Sequence, residues 1–469
     1  MASATKFTYQ NPPSYYGSRL LEPYYAKVGL AVDQGNFVFG QLLALSCACI
    51  FRYLSRKRKL SVNQRHWMVL VPGIFLTYFC FGHQISHLLL LSFLCYMTIC
   101  ACTSKTVHQV VLAISLLYLS YLHLLRQLEE YGGYYIDITG PAMIIVQKVT
   151  SLAFCIHDGM SGAQLNEEQE KLRVDHIPSA LEFAAYLFQF TNVLCGPMVY
   201  YTDYIEFIDQ TNFRKHARSI NSRTLQKSLW KAVFKKLSIA LFFGILVVYY
   251  CPRFSIYRLQ DERFLNTTPM WIFFLYLQAS TAGARFKYYF AWTFGEAVCN
   301  AAGLGLVDID KNNTPNWNLL DPVDIFQFEF SRNLREALQA WNKPTQVWLR
   351  RTSYDRVVKH RTLITYLLSA LWHGFYPGYY LTFLTGALFT KAARVARRNF
   401  RHHFQKNKAT SLFYDLLTCI FTRFMMAYLV FPFVMLTFFD SIKVYARLYF
   451  YGHILAVCAL VLLPTLKLS

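Results

Sequence analysis

An all-α polytopic membrane protein is the fold class that this sequence predicts, and three observations predict it. Of 469 residues 55% are hydrophobic and 17% aromatic, and the mean hydropathy is positive. Apolar stretches near the ~20 residues that a helix needs to cross hydrocarbon recur along the whole chain. The surplus of basic residues concentrates in the gaps between those stretches.

In order, apolar segments fall at about 36–51, 67–82, 85–102, 107–125, 141–157, 180–200, 233–251, 269–282, 285–306, 362–375, 378–392, 413–439 and 446–466. Several are short or carry polar residues, as re-entrant or tilted segments do, which leaves roughly ten to twelve spans. The first thirty residues lack the basic start, apolar middle and small-residue cleavage site of a secretory signal, so the amino terminus is expected to stay attached. Residues 1–35 read as a non-membrane segment and 36–469 as a single integral membrane domain, in which 308–361 form an amphipathic insert.

There are 47 basic and 26 acidic residues, a formal charge of +21. On a soluble chain that charge would suggest nucleic acid, but here it marks cytosolic loops that meet anionic headgroups. The clearest clusters are 52–65, 213–236, 343–361 and 391–408, all assigned to the cytosolic side. The twelve cysteines lie mostly in apolar segments without paired zinc-type spacing, so free thiols are expected and neither a disulfide framework nor a metal site. Asn266 and Asn312 open weak glycosylation sequons.

Within the insert, DIFQFEFSRNLREALQAWN sets Phe330, Leu334, Leu338 and Trp341 at helical spacing opposite Arg332, Arg335, Glu336 and Gln339. That is an amphipathic helix suited to the bilayer surface or to the bundle. Pro344 biases Lys343 away from helical angles, so Asn342 sits at a break before a second, basic and aromatic helix.

Ionisable groups inside spans are costly and so are candidates for function. Here they are Lys148, His157 with Asp158, Glu182, Arg285, Lys287, Glu296, His373 and Asp440. Arg285 and Glu296 are eleven residues apart, share a helix face and suit anchoring two different neighbours. Lys148 fits a phosphate contact or a set of backbone carbonyls equally. His157 lies at a span's end, where a solvated ring and a site both fit. His373, in SALWHGFYPG, fits either a general base or an imidazole bonded between helices. No nucleophile elbow, HxxxxD, Walker loop or dinucleotide fingerprint is present, so a covalent intermediate is unsupported.

An apolar helix ending in SALWHG, preceded by about thirty residues carrying AWN and a basic aromatic helix, resembles the membrane-bound O-acyltransferase family. With ITGPAMIIVQKVTSLAFCIHDG (138–159), PSALEFAAYLFQFTNVLCGPMVYYTDYIEFI (178–208) and QAWNKPTQVWLRRTSYDRV (339–357), the chain looks like its lysophospholipid acyltransferase branch. The resemblance implies roughly eleven helices around a substrate tunnel in the endoplasmic reticulum membrane. Acyl-CoA would enter from the cytosol as co-substrate, with no cofactor, and a lysophosphatidylethanolamine, lysophosphatidylserine or lysophosphatidylcholine would arrive from the bilayer. It also carries the two catalytic positions onto His373 and Asn342. Trp341, Lys343, Arg350, Arg351 and Trp372 around them are candidate substrate-binding residues. Rival expectations are an acceptor of another kind, such as a sterol, a diacylglycerol or a protein, and a transporter in which His373, Lys148 and Glu182 line an ion path.

Overall fold

The computed structural model describes residues 14–464 except 58–59, 134, 163, 216–219 and 310–313. Parts of the first two basic clusters, part of the insert and the Asn312 sequon therefore lie outside the described residues. Packing divides the chain into two units, one taking in the chain through Leu241 together with Phe290–Pro322, the other Phe242–Tyr289 and Val323 onward.

The first unit opens with α1 (Glu22–Lys27) and the long α2 (Val32–Lys57), then α3 (Val62–Phe81), α4 (Ile85–Ala101), α5 (Val107–Glu129) and α6 (Thr139–Met160). Ser61 starts α3 because its hydroxyl and the Gln64 side chain bond each other's backbone amides in a capping box. α3 and α4 are divided by a tight turn over Gly82–Gln84, where Gly82 takes φ +56°. α6 is buried on nearly every face, so polar residues such as Gln147, Lys148 and Asp158 are buried along with its apolar ones. Short helices follow: α7 (Glu167–Leu172), α8 (Ala180–Leu187), α9 (Tyr201–Asp209) and α10 (Thr211–Arg214).

The expected span over 180–200 is not one helix. α8 stops at Leu187, and the chain continues without helix through Val199. Lys148 explains the stop. Its ammonium, 0% exposed, donates to the carbonyls of Tyr186 (2.9 Å) and Leu187 (3.2 Å) and to Asn192 Oδ1 (2.7 Å). These are carbonyls at the end of α8 that the helix itself leaves unpaired, and a buried cation takes them.

Two helices contribute to both units, α11 (Ser222–Tyr249) and, after the short α12 (Glu262–Thr267), α13 (Met270–Ala302). The segments expected at 269–282 and 285–306 are one continuous helix of 33 residues. Arg285 does not break it, because charge alone does not end a helix that offers the side chain a partner, and Lys287 is exposed. A two-residue antiparallel pair, β1 (Asp308–Ile309) with β2 (Pro315–Asn316), completes the first unit.

The second unit carries α14 (Ile325–Glu329), α15 (Leu334–Ala340), α16 (Lys343–Leu349), α17 (Arg361–His373), α18 (Pro377–Phe400), α19 (Lys408–Met435), α20 (Phe438–Arg447) and α21 (Tyr451–Val461). The single amphipathic helix expected in the insert is two short ones. Asn333 starts α15 afresh by accepting the Glu336 amide at 3.0 Å, and Phe330 is left outside both, 60% exposed. The segment expected at 446–466 starts as a helix only at Tyr451, after a 75° bend from α20.

Among the described residues, length and composition mark six helical segments able to cross a membrane, and a seventh if the bent α20–α21 pair is one span. The chain is an all-helical polytopic membrane protein.

Candidate active site

His373 is the last residue of α17, and its position follows from the glycine after it. Gly374 takes φ +115°, which ends the helix, and its amide closes onto the carbonyls of Ala370 and Leu371 at 3.1 Å each. Pro377 then opens α18 at a first-turn position, where its missing amide costs nothing. The two helices form a hairpin with His373 at the tip.

Around the half-buried imidazole stand four aromatic rings. Phe383 stacks on it at 5.2 Å and 23°, Phe433 meets it edge-on at 4.9 Å, and Trp372 and Tyr379 lie at 4.6 and 5.8 Å. Tyr379 and Phe383 are four residues apart on α18, hence on one face. Phe433 comes from α19 through a backbone junction. The Gly378 amide donates to the Leu436 carbonyl at 2.8 Å, and a Cβ at 378 would stand 2.0 Å from the Pro432 carbonyl oxygen. Only glycine permits that approach.

Asn342 sits where Trp341 is extended and the chain then turns left-handed, φ 42° and ψ 55°, to enter α16. Asparagine is among the few residues that tolerate this region. Its carbonyl accepts the Gln346 amide at 3.1 Å, but its side chain makes no capping bond. Asn342 thus stands at the helix break without capping it through its side chain. Lys343 is helical, with Pro344 at the second position of α16, so the break falls at Asn342 as expected although Lys343 itself is not pushed out of the helix. α16 runs into a π-type turn over Arg350–Tyr354, and its Trp348 packs 5.6 Å from Trp372. One tryptophan pair thus links Asn342's helix to the residue beside His373.

A half-buried ionic cluster lies beside Trp341 on the approach to Asn342. Arg285 grips Glu329 through two bonds of 2.7 and 2.9 Å, the Tyr289 hydroxyl donates to the same carboxylate at 2.7 Å, and Arg423 adds bonds to Glu329 (3.3 Å) and to Ser331 (2.7 Å). Burial works against the charged form of Glu329, yet Arg285, the Tyr289 hydroxyl and Arg423 outweigh it and hold the carboxyl below its usual range. Trp341 lies against Phe328 (5.0 Å), Tyr288 (5.7 Å) and Tyr289 (5.9 Å). The ring preceding Asn342 is seated on the cluster.

The other sequence candidates have structural partners. Arg285 and Glu296 do anchor different elements: Glu296 accepts from Lys236 at 2.6 Å, and Lys236 also donates to Asn300 and to the Trp317 carbonyl. Glu182 is the capping-box partner of Ser179. His157, beside the buried Asp158, bonds the Ser104 carbonyl at 2.9 Å, and Asp440 accepts from Thr437 at 2.7 Å. With Lys148 held by carbonyls and Glu182 by a helix start, two of the three groups of the ion-path reading are used for architecture. Of the substrate-binding candidates, Trp372 and Arg351 are buried, Lys343 is half-buried, and Arg350 is exposed and pairs with Asp355 at 3.3 Å. Sequence reasoning missed Glu329, Arg423, Phe433 and Phe383. Only the Tyr379–Phe383 spacing gave a signal for any of them, since the rest come from separate elements.

The model of the membrane-bound O-acyltransferase family matches residues 38–431. The chain belongs to this family.

It is an acyltransferase, and its relatives bear names that agree with the family. Lysophospholipid acyltransferase 6 of Drosophila melanogaster is 42% identical over 96% of the chain, which spans 64% of the fly protein. Membrane-bound glycerophospholipid O-acyltransferase 2 of Rattus norvegicus is 39% identical, with 96% of the chain and 88% of the relative covered. For membrane-bound glycerophospholipid O-acyltransferase 1 of Homo sapiens the values are 37%, 96% and 92%.

Proposed function

We propose that this acyltransferase moves a fatty acyl chain from acyl-CoA to the free hydroxyl, usually sn-2, of a lysophospholipid, with His373 as general base. Lysophosphatidylethanolamine, lysophosphatidylserine and lysophosphatidylcholine are the acceptors to test first. The observation that carries the reading is the imidazole at the tip of the α17–α18 hairpin, walled by Trp372, Tyr379, Phe383 and Phe433.

The ring accepts the hydroxyl proton as that oxygen attacks the thioester carbonyl. The carbon–oxygen ester bond forms, the carbon–sulfur bond breaks, and the proton returns to the departing CoA thiolate. Positioned base catalysis gives ~10²–10⁴-fold, and an alcohol at its free pKa needs it. The positive charge taken on by the ring arises at the carbonyl end of α17, where the helix dipole favours a cation. The aromatic walls keep bulk water, the competing acceptor, away from the thioester. Both substrates are held at once, so no acyl-enzyme is required.

Asn342 supplies an amide, free of any capping bond, to orient the imidazole or to donate to the developing oxyanion, a contribution of ~3 kcal/mol. Lys343, Arg350 and Arg351 follow it in sequence and offer cations to the phosphates of CoA. α17 holds 13 residues. At a rise of about 1.5 Å per residue, basic residues at its start seated among cytosolic headgroups would carry His373 to about mid-bilayer. That depth suits a lipid acceptor arriving sideways in the endoplasmic reticulum membrane, and the scheme asks for no cofactor beyond the acyl donor.

The test is purified protein with oleoyl-CoA and a panel of the three lysolipids, following both CoA release and the new phospholipid. Formation of a diacyl phospholipid with at least one acceptor is expected. No CoA release with any of them would overturn the reading, and a competition among the three then ranks the headgroups.

A further inference from the structure

His453 lies outside everything described so far, yet it is aimed. α20 ends at Arg447, and the chain bends by 75° through two consecutive non-glycine residues in left-handed conformation, Tyr449 (φ 51°) and Phe450 (φ 49°). Each such residue is strained, and strain of this kind persists only where the surroundings enforce it. Here they do. The Phe450 amide bonds the Tyr445 carbonyl at 2.9 Å, and the Phe450 ring stacks on Tyr445 at 5.9 Å. What the bend achieves is to turn His453 inward.

Its imidazole then joins two helices. Nδ1 is 2.6 Å from the Tyr428 hydroxyl on α19, and Nε2 is 3.1 Å from the Thr385 hydroxyl on α18. A neutral ring donates to one hydroxyl and accepts from the other, so both nitrogens are used. The approach is close: a Cβ on the neighbouring Gly452 would stand 2.6 Å from the Tyr428 ring. Phe389 of α18 stacks on Tyr428 at 6.1 Å and faces His453 at 6.0 Å, which doubles the link.

These are the helices that wall His373. Thr385 is two residues from Phe383 on α18, and Tyr428 is five from Phe433 on α19. We propose that His453, through Thr385 and Tyr428, is a positioning residue that clamps α18 to α19 and so keeps Phe383 and Phe433 closed over the reacting imidazole. The proposal rests on the assignment of His373 as base. Its consequence is chemical: a loosened wall admits water, and water takes the acyl group in place of the lipid hydroxyl.

The experiment follows the fate of the acyl chain with the full-length protein in detergent, oleoyl-CoA and lysophosphatidylethanolamine. Free oleate and acylated lipid are counted separately for wild type, His453→Phe, Tyr428→Phe, Thr385→Val and His453→Gln. With His453→Phe and Tyr428→Phe the hydrolysed share is expected to rise severalfold, and kcat for transfer to fall by ~10-fold or more with KM little changed, since a displacement of 1 Å can cost ~10²-fold. Thr385→Val shifts the share less, and His453→Gln, which still offers a donor and an acceptor, restores most of it. A purely structural defect would lower hydrolysis and transfer together in step with the folded fraction. Should the hydrolysed share stay at the wild-type value in variants that melt as wild type does, the clamp is refuted. His373→Ala runs beside them: transfer surviving there sinks the base assignment alone.

Discussion

The surroundings of Lys148 and of His373 show two ways of placing a polar side chain deep in a membrane protein. Lys148 is wholly buried, and every bond its ammonium makes goes to a fixed acceptor: two carbonyls at the end of α8 and Asn192. His373 is half-buried, and its near neighbours are aromatic rings on three elements. The first arrangement saturates a charge and thereby fixes the backbone. The second shapes apolar space around one group that can take and return a proton. The base role proposed for His373 calls for the second kind of setting, and the architectural role of Lys148 for the first.

The sharpest way to break that contrast is to remove each group in turn. His373→Ala is expected to lower turnover by ~10²–10⁴-fold while the protein still folds, as read by thioester cleavage in detergent and a parallel melting curve. Near-normal turnover would erase the distinction. Asn342→Ala should cost ~10²–10³-fold in kcat, with a smaller change in KM, if its amide acts on the transition state. Gly378→Ala forces a Cβ to within 2.0 Å of the Pro432 oxygen, so α18 and α19 must part and Phe433 must leave the ring. A loss of about tenfold in transfer is expected, in keeping with the ~10²-fold that 1 Å can cost.

Lys148→Met sits on the other side of the contrast. It orphans buried acceptors at ~1–3 kcal/mol each, so thermal stability should drop while the protein that stays folded keeps its turnover. Loss of turnover without loss of stability would make Lys148 part of the chemistry. The smallest effect is expected at Asp203 on α9, whose carboxyl burial and the nearby Glu206 push up to about 6, against the pull of Lys215. A raised carboxyl adds stability that is full below its unfolded value, near 3.8, and lost as pH climbs through about 6. Asp203→Asn should flatten that slope in melting curves taken from pH 4 to pH 7.

Much of this was legible in the residues. Composition and spacing gave an all-helical membrane protein, and SALWHG with AWN gave the family; the catalytic roles that the same motifs suggest for His373 and Asn342 belong to the proposal. The paired anchoring of Arg285 and Glu296 could be read because a helix repeats every 3.6 residues. Interruptions were not legible where their cause lay elsewhere in the chain. α8 ends early because of Lys148, thirty-eight residues before Tyr186. The insert divides between Glu329, gripped from Arg285 and Arg423, and the Asn333 cap. α13 stays whole because Arg285 finds Glu329. Periodicity reports which face is apolar, but a helix's length is also set by partners that one sequence does not announce.

The meeting of Gly378 with Leu436 is made by main-chain atoms alone. Side chains along α18 and α19 that neither wall the histidine nor join the two helices are therefore open to exchange without moving the point at which they cross. Descendants of such a protein can retailor the surfaces that greet a headgroup or a fatty tail and still inherit the seat of the histidine unchanged.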